Sequence, residues 1–207
     1  MDIIAPMPDR EKFQHVLEMV RLYQKHVLPY IEQHLGYAEM HNLRAIWRAA
    51  MNPIHENDPD LEKYNLAYSN WLWMARCCHD LIAEKMSGDE VFDYKRLILS
   101  LYVKRLNNPD LFILRAIGAH TSIARALLYE MQWITPLEIM HVSKEKVTCE
   151  VADCRLLLTP GVERVCRVDC QNVGAAYARK AYHLRRITSR SHHGCTITLT
   201  PLSAEQD

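Results

Sequence analysis

The feature that most constrains this chain is a change of hydrophobic period near residue 135. Before that point the 207-residue sequence repeats apolar side chains at the spacing of amphipathic helices. After it, two pairs of alternating segments surround one further helical segment, and five of the seven cysteines lie there. This pattern predicts an α+β fold in which helices and sheet are segregated along the chain.

The C-terminal part predicts two β-hairpins around one helix. The segments 137–142 and 147–152 alternate and are joined by a short polar turn, and 184–190 and 195–200 repeat the pattern around a turn at 191–194. Between the hairpins, 169–183 has helical spacing, with Asp169 as the expected N-cap. We therefore expect a ββαββ unit, one antiparallel sheet with a dry face, a wet face and one packed helix. The side chains expected on the dry face are Val147, Cys149, Val151, Cys195, Ile197 and Leu199.

The N-terminal part predicts a lobe of five helices separated by proline and glycine. Its fifth helix is expected to run without a break to about Met131. Proline pushes the preceding residue out of helical geometry, so the pair Thr135-Pro136 marks the expected boundary. The predicted domains are a helical lobe at 1–134 and a ββαββ sheet lobe at 135–207.

Composition excludes several classes of protein. Lys plus Arg and Asp plus Glu number 25 each, which argues against a protein whose main task is gripping nucleic acid. No apolar run approaches the roughly 18 residues that a membrane span requires. The N-terminus lacks the pattern of a secretory signal, and an odd number of cysteines favours free thiols over a disulfide framework. We expect a cytoplasmic protein that binds neither nucleic acid nor membrane.

No strong catalytic motif is present, but the C-terminal cysteines form a candidate site. The sequence has no glycine-rich phosphate loop, HExxH or GxSxG pattern. Cys166 and Cys170 lie near the start of the predicted helix, where the helix dipole favours a thiolate. Metal ligation, an activated nucleophile and plain packing as small apolar residues all remain open. The candidate metal ligands are Cys154, Cys166, Cys170 and Cys195.

Part of the C-terminal half resembles the 2-aminothiazoline-4-carboxylate hydrolase-like family. The resemblance rests on Cys154, on the run from Cys166 to Asp169, and on Cys195 after a helix. It covers about a quarter of the chain, and residues 196–198, Thr-Ile-Thr, replace the acidic and aromatic run of that family. It implies a hydrolase of a small cyclic amidine or thiazoline. In that case Cys166 or Cys195 would be the nucleophile, Asp169 would orient, and His192 or His193 would act as acid and base.

The plan of the whole chain is similar to the partner protein of methanobactin biosynthesis. The similarity lies in a helical lobe, the joint Trp133-Ile-Thr-Pro-Leu-Glu138 and a small cysteine-bearing sheet lobe. It implies a subunit without a cofactor of its own that pairs with an iron-dependent oxidase. The oxidase holds the iron and converts cysteines of a precursor peptide into oxazolone and thioamide groups, while the partner helps to hold the leader peptide.

These observations leave three functional hypotheses. The first is a non-catalytic partner subunit whose sheet accepts an extended peptide as an added strand. The second is the hydrolase, and the third is a small-ligand sensor with a pocket between the lobes. For the first hypothesis, the expected peptide-binding residues are Leu137, Ile139, His141, Thr196, Thr198 and Thr200.

Overall fold

The structure, a computed structural model, describes residues 2–105, 110–137, 139–143 and 145–202. Its contacts divide the chain into two compact units. The helical unit is Pro8–Leu101, and the sheet unit combines the segment up to Met7 with the chain from Tyr102 onward. The division differs from the boundary expected at 134/135, because the chain from Tyr102 to residue 134 belongs to the sheet unit. The N-terminal segment belongs there too, since it pairs with a strand far away in sequence. No local pattern reveals either assignment.

The helical unit is built from amphipathic helices around an aromatic core. A π-helical turn at Tyr23–Val27 precedes Pro29 in the first turn of the next helix, so the chain continues past this proline without losing its helical course. Gly36, with φ +89°, ends that helix in a conformation that favours glycine. Within the described ranges, no helix is long and apolar enough to cross a membrane. The helices are α1 (Asp9–Leu22), α2 (Leu28–Leu35), α3 (Tyr37–Ala50), α4 (Asp60–Lys85) and α5 (Gly88–Arg105), the last of which runs on into the sheet unit.

The sheet unit contains one antiparallel sheet of five strands with helices packed on it. Its strands are β1 (Asp2–Ile3), β2 (Ile139–Val142), β3 (Val147–Val151), β4 (Leu184–Arg190) and β5 (Cys195–Pro201). Its helices are α6 (Asp110–Ala116), α7 (His120–Met131), α8 (Arg155–Leu158), α9 (Glu163–Val165) and α10 (Gly174–Tyr182). A π-helix at Cys166–Val173 joins α9 to α10.

The strand order is β1-β2-β3-β5-β4, so β5 lies inside the sheet and β4 lies at one edge. The α+β class, the two hairpins and the single sheet are confirmed. The dry face is confirmed as well, since β3 and β5 bury alternate residues and expose the intervening threonines in part. β1 was not predicted. It caps β2 by pairing Asp2 with Met140 and Ile3 with Ile139.

Two helix predictions are wrong. The expected fifth helix is broken into α6 and α7 at Gly118, whose φ of +66° a right-handed helix does not allow. Asp169 is not an N-cap, because the helical run already begins at Glu163 and Asp169 lies buried in the middle of the π-helix. α7 and α10 both contact strands of the sheet, so two helices cover it where one was expected.

Candidate functional site

The structure does not bring the six expected peptide-binding residues to one sheet edge. Leu137 is fully buried, and the backbone of Ile139 is already paired with Ile3. His141 is exposed on β2. Thr196, Thr198 and Thr200 are half-buried on β5, which has β3 on one side and β4 on the other. An interior strand has no free hydrogen-bonding edge, so β5 cannot accept an added strand.

The outer edge of β4 has no strand partner among the described residues. The hydrogen bonds at its two ends set which backbone groups point outward. At one end the Leu202 amide donates to the His183 carbonyl at 3.4 Å, and at the other the Ser191 amide donates to the Gly194 carbonyl at 2.9 Å. Bonded and non-bonded pairs alternate in an antiparallel ladder, so odd-numbered residues of this strand bond to β5. The outward amides and carbonyls belong to Leu184, Arg186, Thr188 and Arg190.

The pairing of Leu184 with Pro201 agrees with this assignment, since proline has no amide to donate at that position. The edge also has a distinct charge. Arg185 and Arg190 are exposed, and Ile187 and Ser189 are exposed between them. β4 therefore presents a cationic strip with unpaired backbone groups.

The four candidate thiols come together beneath the sheet. Cys154 follows β3, Cys166 and Cys170 lie on the π-helix, and Cys195 begins β5. Each of the pKa values of Cys154, Cys166 and Cys195 is influenced by the charge of Cys170. The four sulfurs therefore lie near one another, and we call them the thiol cluster.

Burial controls the chemistry of three of these thiols. It raises the pKa of Cys166 to about 11 and that of Cys195 to about 12, and it also raises the pKa of Cys154. The expectation that the helix dipole makes Cys166 a thiolate is therefore wrong, because desolvation of the charged form dominates. Protonated thiols are weak nucleophiles at neutral pH.

Arg186 reaches the thiol cluster from β4. Its side chain is only 7% exposed, and one Nη donates a hydrogen bond to the Cys170 Sγ at 3.1 Å. The guanidinium lies against Gly174, where an added Cβ would be 2.3 Å from an Nη. Gly174 is therefore required so that the guanidinium can lie flat on the helix. The Arg186 Nε is buried and has no hydrogen-bond partner among the described residues.

A small cavity lies beside Arg186 and Cys170. Its volume of about 30 Å³ suits a molecule of the size of water. The Tyr102 hydroxyl donates to Asp169 at 3.4 Å, and the Tyr177 hydroxyl donates to Glu130 at 2.8 Å. The walls are both polar and aromatic. They are formed by Tyr102, Glu130, Met131, Trp133, Ile134, Asp169, Cys170, Gly174, Tyr177 and Arg186.

The other residues of the hydrolase hypothesis do not form a catalytic set, because no contact among the described residues brings them together. His192 and His193 are exposed in the turn between β4 and β5, with their rings 4.3 Å apart. Asp169 is directed to Tyr102. In the described ranges no group of three or more His, Cys, Asp or Glu side chains has an arrangement that could hold a metal ion, and this includes the four candidate cysteines.

A second surface feature is an exposed apolar patch on α6 and just after it. Phe112 is 77% exposed, Ile113 59% and Ile117 71%. Ile113 and Ile117 are four residues apart, so they lie on one side of the helix. Grouped large apolar side chains on a surface are typical of protein contact sites. We call these three residues the α6 patch.

Sequence reasoning missed Arg186. The available signal was an arginine at a position of β4 that the alternation assigns to the dry face, opposite a glycine within a helix. Asp169 was predicted to be a site residue, but as the orienting group of a hydrolase, whereas in the structure it accepts a hydrogen bond from Tyr102. Comparisons of the chain with models of protein families, with curated proteins and with solved structures found no match.

Proposed function

We propose that this chain is the peptide-recognising, non-catalytic partner subunit of an iron-dependent oxidase that converts cysteines of a precursor peptide into oxazolone and thioamide groups. In this proposal the iron belongs to the oxidase, and the chain contributes no cofactor. The complex acts in the cytoplasm, where the seven cysteines, all free thiols, stay reduced. The observation that carries the proposal is the outer edge of β4.

The edge suits an extended peptide for geometric reasons. Arg186, Thr188 and Arg190 direct amides and carbonyls outward at the repeat of an antiparallel strand, so a peptide bonds through its backbone without regard to its sequence. Seven residues of strand extend for about 23 Å and accept a leader segment of similar length. Selectivity comes from side chains, and the exposed Arg185 and Arg190 favour a peptide that carries carboxylates.

The α6 patch supports the second half of the proposal, a stable protein partner. Phe112, Ile113 and Ile117 expose apolar surface to solvent, which has no benefit for a monomer. Aromatic and aliphatic anchors of this kind dominate the energy of protein interfaces. We assign this patch to the contact with the oxidase.

The thiol cluster favours this proposal over the hydrolase. A nucleophilic cysteine requires a thiolate and a nearby base, whereas burial raises the pKa values of Cys166 and Cys195. The cavity beside Cys170 is also too small for a cyclic substrate.

The peptide half is tested at Thr188, with a synthetic peptide rich in Asp and Glu as the ligand. Thr188→Pro deletes one outward amide, and proline is tolerated on an edge strand whose amide faces solvent. The loss of one peptide hydrogen bond should weaken binding about tenfold. Thr188→Ala keeps the amide and should bind like the original chain, as measured by calorimetry.

Hydrogen exchange of the same complex gives a second readout. The bound peptide should protect the amides of Arg186, Thr188 and Arg190 in particular. An affinity of Thr188→Pro equal to that of Thr188→Ala, together with protection confined to other strands, would contradict the proposed edge.

The oxidase half is tested by co-purification with an iron-dependent, peptide-modifying oxidase of the class that the proposal names. Phe112→Ser should abolish stable association, whereas Phe92→Ser on α5, at 62% exposure a matched apolar control, should not. Equal recovery of the complex with both variants would exclude the α6 patch as the contact.

A further inference from the structure

Four cysteines and one arginine meet in the sheet unit, and neither peptide docking nor oxidase binding uses them. Cys170 differs from the other three thiols in two respects. It alone accepts a hydrogen bond from a buried guanidinium, that of Arg186 at 3.1 Å, and it alone lines the small cavity. A guanidinium that donates to sulfur stabilises the thiolate relative to the thiol.

Arg186 itself lacks a conventional partner. Within the described residues no carboxylate forms a salt bridge with it, and its Nε is buried without an acceptor. An unpaired buried cation is costly. A negative charge on Cys170 would lower that cost, which gives the arginine a physical reason to be present.

We propose that Cys170 is a peroxide-reactive thiol that, once oxidised, closes a disulfide with another thiol of the cluster. The cavity beside Cys170 admits a molecule of the size of water, so hydrogen peroxide fits and larger oxidants do not. The proposal stands apart from the proposed function, because it involves neither the outer edge of β4 nor the α6 patch.

The chemistry balances in two steps. The Cys170 thiolate, whose proton has gone to solvent, attacks one oxygen of the peroxide. The O–O bond breaks, a sulfenic acid forms on Cys170, and the leaving hydroxide takes up a proton to give water. A neighbouring thiol then attacks the sulfenic sulfur. The S–S bond forms, the S–O bond breaks, and a second water leaves, so two thiols are oxidised as one peroxide is reduced.

The partner thiol comes from the same cluster. The charge of Cys170 influences the pKa values of Cys154, Cys166 and Cys195. Cys166 precedes Cys170 by four residues on the same π-helix, whereas Cys154 follows β3 and Cys195 begins β5. A disulfide requires about 3.5–4.5 Å between its Cβ atoms, so mapping the linkage identifies the partner.

The test treats the full chain with one equivalent of hydrogen peroxide and maps the modified peptides by mass spectrometry without reduction. We expect the loss of two of the seven thiols and a disulfide that links Cys170 to Cys154, Cys166 or Cys195. A sulfenic-acid trapping reagent added during the reaction should label Cys170, and dithiothreitol should restore the thiols.

Three variants make the result decisive. Cys170→Ser keeps an acceptor for Arg186 and should react at least about tenfold more slowly, and Arg186→Gln should slow the reaction about tenfold through the loss of a charge-assisted hydrogen bond. Arg185→Gln, on the exposed side of the same strand, should react like the original chain. If Arg186→Gln fails to fold, the reaction rate of Cys170→Ser still tests the proposal.

Cys77 provides the internal control for accessibility. It lies in the helical unit, outside the thiol cluster, and is more exposed than Cys170. Oxidation first at Cys77, a disulfide that does not include Cys170, or an unchanged rate in Cys170→Ser would each overturn the proposal.

Discussion

Burial, rather than position along a helix, sets the chemistry of the cysteines. Cys166 lies in the first turns of a helical run, where its sequence position predicts a lowered pKa. In the folded chain the apolar surroundings of the sulfur raise the pKa instead. The pattern of residues shows where a helix dipole acts, but it does not show how much water reaches a side chain.

The raised thiol pKa values predict a loss of stability at alkaline pH. Below pH 9.0, the ordinary value, folded and unfolded chains hold the same thiol protons, so these groups leave stability unchanged. Between 9.0 and about 11 the unfolded thiols ionise while folded Cys166 and Cys195 keep their protons, and Cys195 keeps its proton to about 12, so the free energy of unfolding falls as pH rises. Denaturant titrations across this range measure the slope.

Cys195→Ala is the matched variant for this prediction. It removes the thiol with the most strongly raised pKa, so its stability should fall less steeply with pH than that of the original chain. Equal slopes would show that burial of Cys195 does not govern the alkaline loss.

The contact between Gly174 and Arg186 gives a second prediction at the scale of residues. In an open helix, alanine in place of glycine adds about 1 kcal/mol of stability. Here the added Cβ would lie 2.3 Å from a guanidinium nitrogen, so Gly174→Ala should instead destabilise the chain by about 1–3 kcal/mol. The free energy of unfolding from denaturant titration checks the sign.

A double-mutant cycle locates the cause. With Arg186→Met, whose flexible side chain can move aside, the cost of Gly174→Ala should shrink. If Gly174→Ala lowers the free energy of unfolding equally with Arg186 and with Arg186→Met, the clash is not with Arg186.

At the scale of elements, the alternation of apolar and polar residues predicted the strand segments well. It predicted poorly which strands lie next to each other. β3, β4 and β5 lie within a residue or two of their expected ends, because an apolar residue at every second position specifies a half-buried strand. The sequence did not reveal that β3 pairs with β5, nor that β1 covers part of β2. Strand order depends on contacts between distant segments, which periodicity does not encode.

The turn between β4 and β5 depends on one glycine. A Cβ at Gly194 would lie 1.8 Å from the Val151 carbonyl oxygen, and backbone cannot move aside as a flexible side chain can. Cys154 also donates its amide to the His193 carbonyl in this turn at 2.9 Å. Gly194→Ala should therefore cost more than 2 kcal/mol, roughly the upper range for overpacking.

Gly88→Ala is the control for this prediction. Nothing lies within 4 Å of a Cβ at Gly88, so this substitution should change stability little. Thermal unfolding of both variants under one condition makes the comparison, and equal melting temperatures would contradict the close approach at Gly194.

At the scale of the whole molecule, the N-terminal segment belongs to the sheet unit although the whole helical unit, Pro8–Leu101, lies between them in sequence. The Gln132 side chain fixes it, since its oxygen accepts from the Met7 amide at 3.0 Å and its nitrogen donates to the Ala5 carbonyl at 2.8 Å. Ile4 and Met7 are buried there as well. The Gln132 side chain thus provides hydrogen-bond partners for two backbone groups of the segment that contains β1.

Gln132→Ala should release this segment. We expect a loss of about 2 kcal/mol, because two backbone groups lose their partners. Hydrogen exchange should speed up in β1 and β2, while α1 and α4 of the helical unit stay unchanged. Gln33→Ala, at an exposed position of α2, serves as the control, and equal effects of the two substitutions would contradict the role of Gln132.

The sequence by itself determined the α+β class, the helical and strand segments, the two hairpins and the dry face of the sheet. Each of these follows from the spacing of apolar residues, which is a local property of the chain. Only the tertiary structure decided the strand order, the division into units, the free edge of β4 and the meeting of Arg186 with Cys170. These depend on which distant segments pack together and on which groups that packing removes from water.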